Sequence, residues 1–181
     1  ETNIGVNKVG GLVSREVKHR VEIGNGQVTH TRTTTIENKA ETSAWPLGSY
    51  RLYLKWYLPT EAELNSLSIA GARVVESSID RELAHGYQSL AVLLEVPIQS
   101  SREISLVYRQ PQTTTLPHTY MFFDQKQAGV TFKRRQLVVS RLDRGTPTRV
   151  APAPRSSQNT QGELIFDQEK TAHSVTVIEY R

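Results

Sequence analysis

Eight basic residues crowd one stretch of this sequence. Lys126, Lys133, Arg134, Arg135, Arg141, Arg144, Arg149 and Arg155 are opposed there by Asp143 alone. The whole chain carries +4, so the remainder is net negative. A local cationic surface favours polyanions: nucleic acid, anionic lipid or an anionic cell-wall polymer. Lys126, Lys133, Arg135 and Arg141 are the candidate contacts. In a strand, Lys133 and Arg135 share one face and Arg134 takes the other. Neither face is cleanly apolar, which predicts a strand at an edge or partly exposed. Charges on an edge also block unwanted pairing, so the run has a purely structural reading beside the binding one.

Other chemistry is sparse. The five histidines, at 19, 30, 85, 118 and 173, stand far apart. No pair of them has metal-ligand spacing, and there is no Gly-rich phosphate loop or Gly-x-Ser-x-Gly elbow. The absence of cysteine excludes disulfides, thiolate metal sites and a Cys nucleophile. Asp80, Glu82 and His85 are close in sequence but match no mechanism. No catalytic residue, metal ligand or cofactor is therefore assigned. A site assembled across loops, acting on glycans, is the enzymatic alternative. A nucleic-acid-binding module using residues 126–155 is another, although paired aromatic RNA-binding signatures are missing. Tyr53, Trp56 and Tyr57 offer either a sugar-stacking platform or ordinary core and sheet cover.

The elements that must carry these residues are strands. Val13, Val17, Val21 and Ile23 alternate with polar residues, the period of a half-buried strand. Asn25-Gly26 follows and predicts a two-residue type I′ turn. That turn sets Ile23 opposite Val28, Val21 opposite His30 and Val17 opposite Thr34. It also puts His19, His30 and Arg32 on the more apolar face, where a sheet edge or hydrogen bonds inside the sandwich would hold them. Leu52, Leu54, Trp56 and Leu58 share one face of the next strand, which Pro59 stops.

Further strands are expected at Ser66–Val75, Ser89–Val96, Glu103–Tyr108, Tyr120–Phe123 and Val130–Ser140. Pro97–Ser101 joins two of them as a hairpin turn, and Thr113–Thr115 reads as a polar loop. Weak helical patterns occur at Glu61–Leu67 and Ile79–His85. The expectation is an all-β, antiparallel β-sandwich of hairpin-connected strands, Ig-like or related, with little helix. Residues 1–145 form the module and 146–162 a Pro-rich surface loop or tether. Residues 163–181 add a C-terminal strand pair, Glu163–Phe166 with Ser174–Tyr180, to the same domain.

Several phrases in order carry a family resemblance. They are Ile4–Val9, Tyr53–Pro59, Leu93–Pro97, Ile104–Tyr108 and Tyr120–Gly129, the last containing Gln125-Lys126-Gln127-Ala128-Gly129. Together they resemble the C-terminal extracytoplasmic portion of the bacterial membrane-anchored domain-of-unknown-function 4012 family. The likeness runs from about Ile4 to Ser140. Ala128 stands where a proline is common, and Pro97–Ser101 lacks the expected Pro-Gly pair. The resemblance implies a fragment of a longer envelope protein on the cell-surface side of a bacterial membrane. It implies a non-catalytic binding or assembly module, a membrane anchor in an N-terminal segment outside this sequence, and partners among anionic envelope polymers, surface polysaccharide or other envelope proteins. The family supplies no catalytic residues to carry over.

Overall fold

The computed structural model describes residues 1–24, 26–84, 86–112, 118–130, 132–141, 146–157, 163–168 and 172–180. Fifteen strands follow in chain order: β1 Thr2–Asn3, β2 Val13–Gly24, β3 Gln27–Asn38, β4 Tyr50–Pro59, β5 Glu63–Ile69, β6 Ala72–Arg73, β7 Asp80–Ala84, β8 Tyr87–Val96, β9 Ser100–Pro111, β10 His118–Asp124, β11 Phe132–Arg141, β12 Pro147–Ala151, β13 Ser156–Ser157, β14 Leu164–Asp167 and β15 Ser174–Tyr180. Among the described residues the helical pieces are two 3-10 turns, Val9–Leu12 and Glu76–Ser78. Among the described residues no helix is long and apolar enough to cross a membrane.

The strands form a three-sheet sandwich. An eight-stranded sheet runs β13-β14-β11-β2-β3-β9-β5-β6. Two smaller sheets, β1-β4-β8-β7 and β10-β15-β12, cover different parts of one of its faces. Alternation explains this. Val13, Val17, His19, Val21 and Ile23 of β2 are all buried on that face, while Ser14, Glu16, Lys18, Arg20 and Glu22 point the other way.

Two apolar clusters result. One joins Leu52, Leu54, Trp56 and Leu58 of β4 and Leu90, Val92 and Leu94 of β8 to Ile36, Leu67, Ile104 and Leu106 of the large sheet. The other joins Tyr120, Ile178 and Tyr180 to Val21, Leu137, Val139 and Phe166. Trp56 is 9% exposed, so it is core, as its alternation predicts.

The hairpin register is the expected one: Val17 faces Thr34, Val21 faces His30 and Ile23 faces Val28. Gly26 has φ +73°, the left-handed conformation a type I′ turn needs. Asn25 lies outside the described residues.

Several expectations are corrected. Ser66–Val75 is not one strand. Ala70 and Gly71 both have positive φ, so β5 turns tightly into β6. Both weak helical patterns are mostly strand: Glu61–Leu67 runs into β5, and Ile79–His85 contains β7, paired with β8. The Pro-rich stretch from residue 146 holds β12 and β13, Pro147 sitting at a strand start where no ladder donor is required. Residues 113–115 and 158–162 lie outside the described residues. The last two strands do not pair with each other. β14 lies between β11 and β13, and β15 lies between β10 and β12. Finally, β11 is internal rather than an edge. It pairs antiparallel with β14 and parallel with β2, the one parallel junction among the described strands.

Candidate functional site

Two regions hold chemically active side chains. The first is a buried polar seam between the two apolar clusters. His19 and His30 are each 3% exposed and lie 3.0 Å apart, Nε2 to Nδ1. Their positions follow from the hairpin register, which sets both on the inward face. His30 stacks on Tyr108 with ring centroids 4.4 Å apart, and His19 meets Phe122 edge-on at 4.7 Å. Burial lowers the His30 pKa to about 3. Burial, then His30 and Arg32, hold the His19 pKa well below its usual value. Both rings are neutral near pH 7. His19 Nδ1 and His30 Nε2 have no hydrogen-bond partner among the described residues. In either tautomer arrangement one of these is an N–H and the other a lone pair.

Beyond the imidazoles lies an ionic knot. Asp124, at the end of β10, accepts a hydrogen bond from Arg135 Nη2 at 2.5 Å. It also faces Arg32 Nη1 at 3.8 Å. Arg135 is 1% exposed and donates from Nη1 to the Ala172 carbonyl at 3.2 Å. Arg135 is thus a structural cation, not a surface contact. The irregularity between Phe132 and Arg134 explains the error. Phe132 is level with Arg15 and Arg134 with Glu16, so Lys133 is the extra residue and alternation breaks there. Lys133 stays exposed while Arg135 turns inward.

The second region is a cleft of about 360 Å³ at the start of β11, on the outer face of the large sheet. Glu16 of β2 forms one side. Asp167, Gln168 and Arg155 form the other, with Lys133 and Arg134 between them. Lys133 Nζ is 3.1 Å from Glu16, which raises the lysine pKa through that hydrogen bond. Arg155 donates to Asp167 at 2.6 Å. The Gln168 backbone N–H donates to the Arg135 carbonyl at 3.0 Å, extending the β11–β14 pairing past the end of β14. Arg134 is exposed and has no ionic partner among the described residues. Arg135 also borders the cleft and is paired with Asp124, so three of the cleft's cations are paired and Arg134 is left uncompensated.

The other two candidates fall elsewhere. Lys126 lies beyond β10 and donates to the Gln127 carbonyl at 2.6 Å. Arg141 ends β11, and its side chain is outside the described residues. The structure does not gather the four predicted cations. It brings two of them, Lys133 and the inward-turned Arg135, to one cleft with Arg134 and Arg155, and with Asp167 and Gln168, which carried no motif in the sequence.

The architecture is not peculiar to this chain. A protein from Parabacteroides distasonis named as a protease superposes with a TM-score of 0.54, at 9% identity, over 94% of this chain and 41% of its own. Leukotriene A4 hydrolase from Saccharomyces cerevisiae gives 0.52 at 8%, over 94% of this chain and 29% of its own. The yeast enzyme with bestatin gives 0.52 at 9%, over 93% and 29%. The fold is shared with part of each. This chain spans less than half their length, and at such identities the likeness shows the fold alone. No family model and no curated protein matches the sequence.

Proposed function

We propose that the chain is a non-catalytic binding module of a bacterial envelope protein, facing outward from the membrane and holding an anionic polymer in the β2–β11–β14 cleft. One observation carries this reading: Arg134 is exposed on the lining of a concave surface and is left without a counter-ion among the described residues, beside cations that have theirs. A solvated guanidinium so placed can meet a carboxylate or phosphate with two parallel hydrogen bonds at little desolvation cost.

The test is retention of the chain on anionic glycans and anionic vesicles at low and high salt, with Arg134→Glu and Lys133→Glu beside the parent. Binding at low salt that both reversals abolish supports the module. Binding untouched by the reversals moves the site elsewhere. Salt should weaken retention, because the screening length falls from about 10 Å at 0.1 M to about 3 Å at 1 M. Arg135 is excluded from the test set, since its reversal would bury two like charges against Asp124.

The fold shared with proteins named as a protease and a hydrolase favours a second reading, an accessory module of a peptide-acting enzyme. Retention on peptides in preference to anionic polymers would select it.

A further inference from the structure

We propose that the cleft recognises a polyhydroxylated carboxylate, such as a uronic-acid residue of an acidic glycan, rather than a phosphodiester chain. The inference rests on the anionic-polymer reading and names its ligand class.

It follows from the balance of donors and acceptors on the walls. Arg134 supplies an unspent cationic fork. Glu16 and Asp167 each offer carboxylate oxygens beyond those already engaged by Lys133 and Arg155. A carboxylate can accept about four hydrogen bonds, so each keeps acceptor sites in reserve. Arg135 and Gln168 also border the cleft, but their side chains turn inward to Asp124 and Ser174 Oγ and are nearly fully buried, so the acceptors that face a ligand are Glu16 and Asp167.

The cleft thus asks for one anionic group at Arg134 and for hydroxyl donors around it. A bare phosphodiester backbone offers oxygens only. It would satisfy Arg134 while setting its own negative charge against Glu16 and Asp167. A neutral sugar supplies the hydroxyls but leaves Arg134 unanswered. A sugar acid meets both demands, and a planar carboxylate matches the guanidinium fork two bonds to two. The volume of about 360 Å³ lies at the small end of ligand sites, suited to one or two sugar units and not to an extended groove.

The experiment is calorimetry of the 181-residue chain with three probes: a tetrasaccharide of galacturonic acid, a neutral tetrasaccharide of the same length, and inorganic polyphosphate. The expected result is binding of the uronic acid probe about tenfold or more tighter than either of the others. Arg134→Lys keeps the charge and loses the fork. It should weaken the uronic acid probe about tenfold, and polyphosphate as well, because the fork serves either anion. Glu16→Gln with Asp167→Asn removes negative charge beside Arg134, so it should weaken the uronic acid probe and leave polyphosphate equal or tighter. Circular dichroism of each variant accompanies the titration. Polyphosphate binding equal to or tighter than the uronic acid probe overturns the inference and keeps the anionic-polymer reading. Equal binding of the neutral probe overturns it as well. Failure of all three probes overturns both.

Discussion

The core beneath β4 and the seam beneath β10 bury their side chains equally well by opposite means. Under β4, Leu52, Trp56, Leu90, Leu106 and their neighbours are held by apolar burial, which is non-directional and tolerates repacking. Between the clusters, Arg135, Asp124, Arg32, His19 and His30 are held by partners at fixed distances. There each group is secure only while its neighbour is present. The large sheet spans both regimes, and strand β3 enters both, with Ile36 in one and His30 in the other. The lesson is that the apolar core supplies bulk stability, whereas the seam specifies how the smaller sheet of β10 sits on β11.

Trp56→Ala and Asp124→Ala are the sharpest pair. Each should cost about 3–5 kcal/mol, the first by leaving a cavity and the second by removing the carboxylate that a buried guanidinium donates to. Urea melts of both give the magnitudes. The comparison is broken if Asp124→Ala melts like the parent. It is sharpened by the double variant Asp124→Leu with Arg135→Met, which removes charge and counter-charge together. That chain should recover most of the stability lost in Asp124→Ala, whereas no second change to a charged group should rescue Trp56→Ala.

The pH dependence comes next. The seam histidines are neutral in the folded chain, with pKa values depressed by burial. The unfolded chain takes up protons below about 6.5 and the folded chain does not. Their contribution is therefore complete above about pH 6.5 and is lost as pH falls toward about 3. For His30 alone the loss between pH 7 and pH 5 is about 2 kcal/mol. Denaturation midpoints at the two pH values, for the parent and for His19→Leu/His30→Phe, measure it. If the double variant loses as much stability as the parent, carboxylate pairs and not the seam carry the acid sensitivity.

The smallest expected effect is at Lys133. It is exposed and paired with Glu16 in solvent, so Lys133→Ala should leave the melting midpoint essentially where it was. Retention on anionic polymer should fall in the same variant. A large drop in stability there would place the cleft in the structural regime of the seam.

Local pattern made part of this legible and distance hid the rest. The β2–β3 register could be read because Asn25-Gly26 and matched alternation constrain the same pairing from both ends. The β4 face could be read because Pro59 closes four evenly spaced apolar residues. Arg135 could not, since one extra residue at Lys133 inverts the alternation without changing composition. Strands β5 and β7 were misread because short polar-rich segments satisfy a helical period as well as a strand period. The cleft was half legible: the basic run marked Lys133, but Asp167 and Gln168 reach it through the β11–β14 pairing, which leaves no trace in spacing. The seam showed its histidines and concealed Asp124, whose partner lies beyond a turn.

The parallel junction of β2 with β11 has a consequence for synthesis. β2 ends at Gly24 and its second neighbour is complete only at Arg141. At roughly 5–20 residues per second, a ribosome needs on the order of 10 s to make the intervening chain. Throughout that time the β2–β3 hairpin exists with one long margin of backbone donors and acceptors open, the margin along which one chain can join another. Its outward side chains there, Glu16, Lys18, Arg20 and Glu22, run negative, positive, positive, negative. Two nascent copies meeting edge to edge in the symmetric antiparallel register would set Glu16 against Glu22 and Lys18 against Arg20, like charge against like. Glu16, which later walls the cleft, thus acts first as one of the guards of an unfinished sheet.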